Sequence, residues 1–263
     1  LGSFPSNGGR FAFLRRGEGG LLFDTWGLLP NPSYGSANGE TRPACGDTDG
    51  DGLDEVFVGI GTHTSDGGWV AMFDDRQAGH ALVRWIRVPW LEYNAADGQT
   101  WPAAGDIDGD GRAELVVGLG AFPGQGGYVA IFDDGAAGNA FLGWVRLPWR
   151  RYNQLNGETR PACGDTDGDG RAEIVVAHGP FRGGGWVAVF AGDGPAPAFV
   201  RWIRFPSTGY NEGQGELWPA CGDVDGDGRA EVLLGMGRHP SNGGWVQVRD
   251  DASTGYAHRG WLR

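Results

Sequence analysis

The 263-residue chain predicts an all-β fold, a β-propeller of four-stranded blades, and three observations carry that expectation. An acidic string recurs four times, as GDTDGDGLDEVFVG, GDIDGDGRAELVVG, GDTDGDGRAEIVVA and GDVDGDGRAEVLLG, placing Asp47, Asp106, Asp165 and Asp223 at intervals of 59, 59 and 58 residues. The segments between are short runs of Val, Ile and Trp bounded by Gly, Pro, Asn or Asp, which are strand and turn signals. No segment sustains a 3.6-residue period, so helix is expected to be nearly absent. Four short strands per unit describe one propeller blade. A solenoid is the alternative, but its coils usually repeat at roughly 20 to 45 residues.

Each unit is read in order as a polar link YNxxxGET, strand A (TRPACGD), the acidic loop and strand B (AEIVVG). A glycine-rich turn, strand C (GGWVAVF), an acidic turn and strand D (LVRWIRVPW) follow. Trp26, Trp85, Trp144, Trp202 and Trp261 keep this register, as do Gly9, Gly68, Gly127, Gly185 and Gly244; the single deletion falls after VVAHG. The chain therefore divides into a half blade over 1–33 and blades over approximately 34–92, 93–151, 152–209 and 210–263. It opens with strands C and D and also finishes with C and D, so a half blade is in surplus. In that half blade Arg10 replaces the strand-C tryptophan, and Arg15 and Arg16 replace the acid pairs Asp74-Asp75 and Asp250-Asp251. A basic turn beside acidic ones predicts self-association through the terminal half blade, or continuation into further blades.

Composition narrows the function. Glycine reaches 51 residues, yet 12 tryptophans and abundant branched aliphatics argue for strands and tight turns rather than disorder. The formal charge is −12, and all 21 cations are arginine. An acidic chain without a basic run is a poor partner for nucleic acid. No apolar run reaches the roughly 18 residues of a membrane helix, and no signal peptide is evident, so the sequence reads as a mature or excised soluble piece. Cys45, Cys163 and Cys221 share one repeat position with Ala104. They read as small buried hydrophobes, not as a disulfide framework.

The acidic loop has the chemistry of a hard-cation site. In D-x-D-G-D-G-x-x-E, carboxylates at positions 1, 3 and 5, a carbonyl at 7 and a longer acid at 9 surround one point with oxygen. The ligand sets are Asp47, Asp49, Asp51, Leu53 and Glu55; Asp106, Asp108, Asp110, Arg112 and Glu114; Asp165, Asp167, Asp169, Arg171 and Glu173; and Asp223, Asp225, Asp227, Arg229 and Glu231. Leu53, Arg112, Arg171 and Arg229 serve through their backbone carbonyls. Glycines at 4 and 6 permit the positive φ that folds the loop back. Position 2 (Thr48, Ile107, Thr166, Val224) donates nothing and is expected to vary freely. An EF-hand would place its last acid at position 12, and zinc would need His or Cys in the loop. Four structural Ca²⁺ are expected, changing the formal −12 to −4, with affinity on the order of 10⁻⁴ to 10⁻³ M.

With its four acidic loops, the chain resembles the FG-GAP or VCBS repeats of integrin α-subunit propellers, a fungal lectin family and many secreted bacterial proteins. The resemblance covers essentially the whole chain. It implies a propeller with calcium in the loop between strands A and B; it implies little about biological role, because the scaffold is shared among adhesins, lectins and accessory domains.

Nothing resembles a catalytic constellation. His63, His80, His178, His239 and His258 occupy different repeat positions, serines lack a nucleophile-elbow context, and Asp74-Asp75 and Asp133-Asp134 read as hairpin caps. The strand C and D aromatics, including Trp69, Tyr128, Trp186 and Trp245, are expected to pack between blades. Arg42, Trp101, Arg160 and Trp218 alternate just before strand A, with Tyr34, Tyr93, Tyr152 and Tyr210 in the preceding link and Trp90 and Trp149 nearby. Flat aromatics beside Arg and Asn can stack on sugars, so this set is the candidate ligand rim; the alternative is a link that braces neighbouring blades. The expected function is a secreted, non-enzymatic, calcium-binding propeller for adhesion or recognition of glycan or extracellular protein, without membrane insertion. A filament or matrix subunit and an accessory propeller of a polysaccharide-degrading enzyme are the alternatives.

Overall fold

The computed structural model describes residues 8–64, 66–75, 79–192, 197–238 and 244–263, together with the backbone but not the side chain of Arg16. His239 lies outside the described residues. The first two strands, β1 (Arg10–Gly17) and β2 (Gly20–Leu28), pair antiparallel as the half blade. Four four-stranded sheets follow, in each of which chain neighbours are hydrogen-bonded neighbours. They are β3 (Thr41–Gly46), β4 (Glu55–Ile60), β5 (Trp69–Phe73) and β6 (Leu82–Arg87); β7 (Thr100–Gly105), β8 (Glu114–Leu119), β9 (Tyr128–Phe132) and β10 (Phe141–Arg146); β11 (Thr159–Gly164), β12 (Glu173–His178), β13 (Trp186–Ala191) and β14 (Ala198–Arg204); and β15 (Leu217–Gly222), β16 (Glu231–Met236), β17 (Val246–Arg249) and β18 (His258–Leu262). This is the all-β class of the β-propeller with four-stranded blades.

Burial follows strand position. The second strands β8 and β12 are buried at every residue, so ELVVGL and EIVVAH read as continuous apolar runs behind a leading glutamate. The fourth strands β6 and β14 are largely open, each with a single buried residue, Ile86 and Ile203. Two compact units are distinguished, residues 1–45 with 53–102 and residues 46–52 with 103–263. The first has its core around Phe11, Phe13, Tyr34, Val58, Ile60, Ala71 and Phe73. In the second, β11 lies against β8 and β9, and β15 against β11 and β12, so the first strands of successive blades adjoin. Glycine is required where a first strand crosses the preceding second strand: a Cβ on Gly118 would stand 2.2 Å from the Thr159 carbonyl.

The links depart from expectation. Each contains a helix of six residues: α1 (Pro32–Ala37), α2 (Leu91–Ala96), α3 (Arg150–Leu155) and α4 (Thr208–Gly213). So short a helix displays no period for sequence reading to detect. A tyrosine in every link, followed by asparagine in α2, α3 and α4, anchors these helices. The tyrosine is buried beneath the helix, and the asparagine amide donates to the end of the preceding strand D, from Asn94 to Val88 O (2.8 Å), Asn153 to Leu147 O (2.8 Å) and Asn211 to Phe205 O (2.7 Å).

Candidate functional site

The acidic loops fold around their own first aspartate. Asp106 accepts the Gly109 N–H on Oδ1 (2.7 Å) and the Gly111 N–H on Oδ2 (2.9 Å). Asp47, Asp165 and Asp223 make the same two bonds to the glycines at positions 4 and 6. Those glycines adopt φ near +82° and +89° in the second loop, a region that side chains resist. The third aspartate caps position 7, as Asp110 does for Arg112 N (2.9 Å), with Asp169 and Asp227 alike. The aspartate between them accepts from position 5, Asp49 from Asp51 and Asp108 from Asp110 (3.1 Å each), with Asp167 and Asp225 in the same place.

The glutamate enters from the first residue of strand B and is buried in all four blades, as Glu55, Glu114, Glu173 and Glu231. One oxygen receives the position-2 N–H: Ile107 to Glu114 (2.6 Å), Thr166 to Glu173 (2.8 Å) and Val224 to Glu231 (2.7 Å). The other oxygen of Glu114, Oε1, is buried with no hydrogen-bond partner among the described residues. Desolvation raises the Glu114 carboxyl to about 7, and raises Glu173 for the same reason. Single oxygens of Asp106, Asp108 and Glu114 lie within 4.8 Å of one another, as do those of Asp165, Asp167 and Glu173. Metal–oxygen bonds of about 2.3–2.6 Å put ligands of one calcium at about that separation. A further group joins Asp110 and Glu114 to Asp134, a buried acid at the end of strand C. The residues fit a hard cation: an unshared buried oxygen faces convergent carboxylates, and neutral donors are few.

The fourth loop differs. Arg259, on β18, donates to Asp225 and to Asp250 Oδ1 (3.0 Å), and lies 3.8 Å from Glu231 Oε1. The repeat counterparts of Arg259 are Val83, Leu142 and Val200; in the second loop the guanidinium comes instead from position 7, Arg112 Nη1 lying 3.5 Å from Asp110 Oδ2 and 3.7 Å from Asp134 Oδ2.

Two features escape sequence reading. Position 2 is not free to vary: Thr48, Ile107 and Thr166 are buried, and the next blade's C–D turn docks there, Gly135 N donating to Thr48 O and Ala252 N to Thr166 O (2.8 Å each). Position 7 contributes more than a carbonyl. Arg112 Nε reaches back to Asp49 O (3.3 Å) and Arg229 Nε to Asp167 O (3.0 Å), each side chain covering the position-4 glycine of the previous loop. Backbone bonds run beside these latches, from Ala113, Ala172 and Ala230 N–H to Asp47, Asp106 and Asp165 O. The recurrence of arginine at Arg112, Arg171 and Arg229, against Leu53 in the first loop, was the available signal.

The tyrosines and arginines of the candidate ligand rim make internal contacts, whereas Trp218 stays exposed. Tyr34, Tyr93, Tyr152 and Tyr210 are buried, and their hydroxyls serve backbone; Tyr152 OH donates to Glu158 O (2.6 Å) and accepts from Gly179 N (2.9 Å). These tyrosines brace neighbouring blades and are not presented to a ligand. Arg42 stacks over Trp101 at 3.5 Å and Arg160 over Trp218 at 3.8 Å, which covers one face of each indole. Arg160 is itself buried between Glu158 and Glu216 (2.6 Å each). The strand C and D aromatics pair edge-on within a blade, Trp69 with Trp85 (6.1 Å), Tyr128 with Trp144 (5.8 Å) and Trp186 with Trp202 (6.1 Å), and also across blades, Phe205 with Trp261 (5.4 Å). The shared cysteine position packs on the preceding blade's glycine, Cys163 against Gly105 and Cys221 against Gly164, where Ala104 meets Gly46.

The family described as FG-GAP-like repeat matches residues 47–117 and 165–234. No curated protein matches the sequence significantly. Among solved structures, a rhamnogalacturonan lyase of Bacillus licheniformis is similar over 80% of this chain and 46% of its own, with 19% identity and a TM-score of 0.50. The exotype rhamnogalacturonan lyase YesX is similar over 87% and 48%, with 18% identity and a TM-score of 0.51. An Agrocybe aegerita lectin, described in specific recognition of non-reducing terminal N-acetylglucosamine, is similar over 100% and 65%, with 15% identity and a TM-score of 0.52. The chain spans less than half the length of either lyase. At these identities the likeness is one of fold.

Proposed function

Since the chain belongs to the FG-GAP-like repeat family, we propose that it is a secreted, non-catalytic recognition propeller whose blades are fastened by calcium and whose ligands are glycans. The unshared buried oxygen of Glu114 carries the calcium reading. Asp106, Asp108, Asp110 and Glu114, with their counterparts in the other blades, would hold the ion, which would supply positive charge against their clustered carboxylates. Ligands gathered only in the folded loop make binding energy add to folding energy. Excess EGTA therefore lowers the melting temperature, and millimolar calcium restores it; an unchanged curve after verified metal removal overturns the reading. The recognition part is supported by the lectin's shared fold, and a glycan array tests it.

A second reading, an accessory propeller of a polysaccharide-degrading enzyme, is favoured by the two lyases of similar fold. It predicts a catalytic domain encoded beside these blades. The isolated chain would then bind pectic fragments without cleaving them.

A further inference from the structure

One repeat position separates the first complete blade from the next two. The residue before the link helix is Asn31, Trp90, Trp149 and Ser207 in turn. In the third blade the Trp149 indole fills a corner of the blade. It meets Trp202 edge-on at 6.1 Å, His178 at 5.4 Å and Phe181 at 5.3 Å, and stacks on Tyr152 at 5.3 Å. Trp85 and Trp69 of the first blade correspond to Trp202 and Trp186 and keep the same edge-on pairing, 6.1 Å in both blades. With Asn31 in place of the indole, a cleft of about 210 Å³ opens, lined by Pro30, Asn31, Asp66, Trp69 and Trp85.

The opened corner is polar as well as aromatic. Asp66 Oδ1 accepts from Trp69 Nε1 (3.2 Å) and Arg87 Nη2 (3.1 Å), while its Oδ2 has no hydrogen-bond partner among the described residues. Arg87 also stacks on Trp69 at 4.7 Å, holding that indole in place. The Asn31 Oδ1 is occupied by Tyr34 N and Ser33 Oγ, which fixes its amide. Small-molecule pockets usually measure roughly 300–1,000 Å³, so this one suits a single ring. An indole-sized space with aromatic walls, a fixed carboxylate and a fixed amide matches a pyranose, which has an apolar C–H face and a periphery of hydroxyls.

We infer that the first blade binds one terminal sugar ring in this cleft, where the third blade places the Trp149 side chain. The inference deepens the recognition reading and is independent of calcium. Asp66 accepts hydrogen bonds from ring hydroxyls, and Trp85 supplies the apolar contact.

Saturation-transfer NMR on the full chain with calcium present, using the methyl glycosides of N-acetylglucosamine, galactose and rhamnose as probes, tests it. At least one probe is expected to bind with a millimolar Kd. Asn31→Trp, which supplies the side chain that Trp90 and Trp149 already place before their helices without a side-chain cap, is expected to weaken that binding at least tenfold while leaving the melting temperature unchanged or higher. Asp66→Ala, at a half-exposed carboxylate, is expected to weaken it to a similar extent. Undiminished binding by both variants overturns the cleft and leaves the recognition reading standing. Failure of every probe to bind the unaltered chain overturns the cleft, and a glycan array without a hit would then overturn the recognition reading as well.

Discussion

Glu114 states the problem of the acidic loops in one side chain: one oxygen is bonded to Ile107 N, the other is buried and bare, and desolvation holds the carboxyl near 7. A neutral amide at this place keeps the backbone bond and removes the charge. Glu114→Gln is expected to melt no lower than the parent in EGTA at pH 8, yet to lose one calcium in titration calorimetry. With calcium tenfold above Kd, the lost stabilisation is about 1.4 kcal/mol. His178 poses the opposite case. It is buried, its Nδ1 lies 2.6 Å from Gly179 O, Nε2 accepts from Trp186 N, and desolvation depresses its pKa from 6.5 to about 4. A depressed folded-state value means that stability is full above pH 6.5 and is lost as pH falls towards 4, by up to on the order of 3 kcal/mol. The corresponding positions hold Ile60, Leu119 and Met236. Urea denaturation at pH 7 and pH 4.5 should therefore show a smaller acid loss in His178→Leu than in the parent.

At the level of elements, the link and the acidic loop behave differently from their sequence patterns. The strands were legible because alternation and apolar runs report burial directly: ELVVGL and EIVVAH announce buried second strands. The shape of the acidic loops was legible because the glycines that fold them back are written beside the acids. The link helices were not, since six residues are too few to show a period. Nor was the burial of Tyr34, Tyr93, Tyr152 and Tyr210, because a tyrosine in a polar link reads the same whether its hydroxyl faces water or a backbone carbonyl. Tyr152→Phe removes the acceptor for Gly179 N and should cost about 1–3 kcal/mol in denaturant melts. The fourth loop carries its own prediction. Arg259 supplies a positive charge among Asp225, Asp250 and Glu231, competing with an ion. Arg259→Val, the residue at position 200 of the preceding blade, should tighten the weakest calcium step in calorimetry. An unchanged isotherm would show that Arg259 lies outside the ion's reach.

For the molecule as a whole, charge and edges set solution behaviour. If the four acidic loops hold divalent ions as proposed, removing them from a chain of formal charge −12 increases self-repulsion, and added salt should then recover part of the stability lost to EGTA. The half blade has two strands, and β2 exposes Leu21, Leu22, Phe23 and Trp26. Such an edge favours association, and light scattering at micromolar concentration should report a mass above 27.9 kDa. Phe23→Lys should return the monomer if β2 is the contact. The backward-reaching arginines carry one more consequence. The second and third acidic loops each hold both halves of a joint, an arginine that covers the loop behind and a glycine covered by the loop ahead. Leu53 stands in the loop that follows the half blade, and Gly226 of the last loop has open space above it. A gene duplication that copies one 59-residue unit therefore copies a tile whose front edge already matches its own back edge, so a propeller built this way can lengthen by whole blades without inventing a new seam.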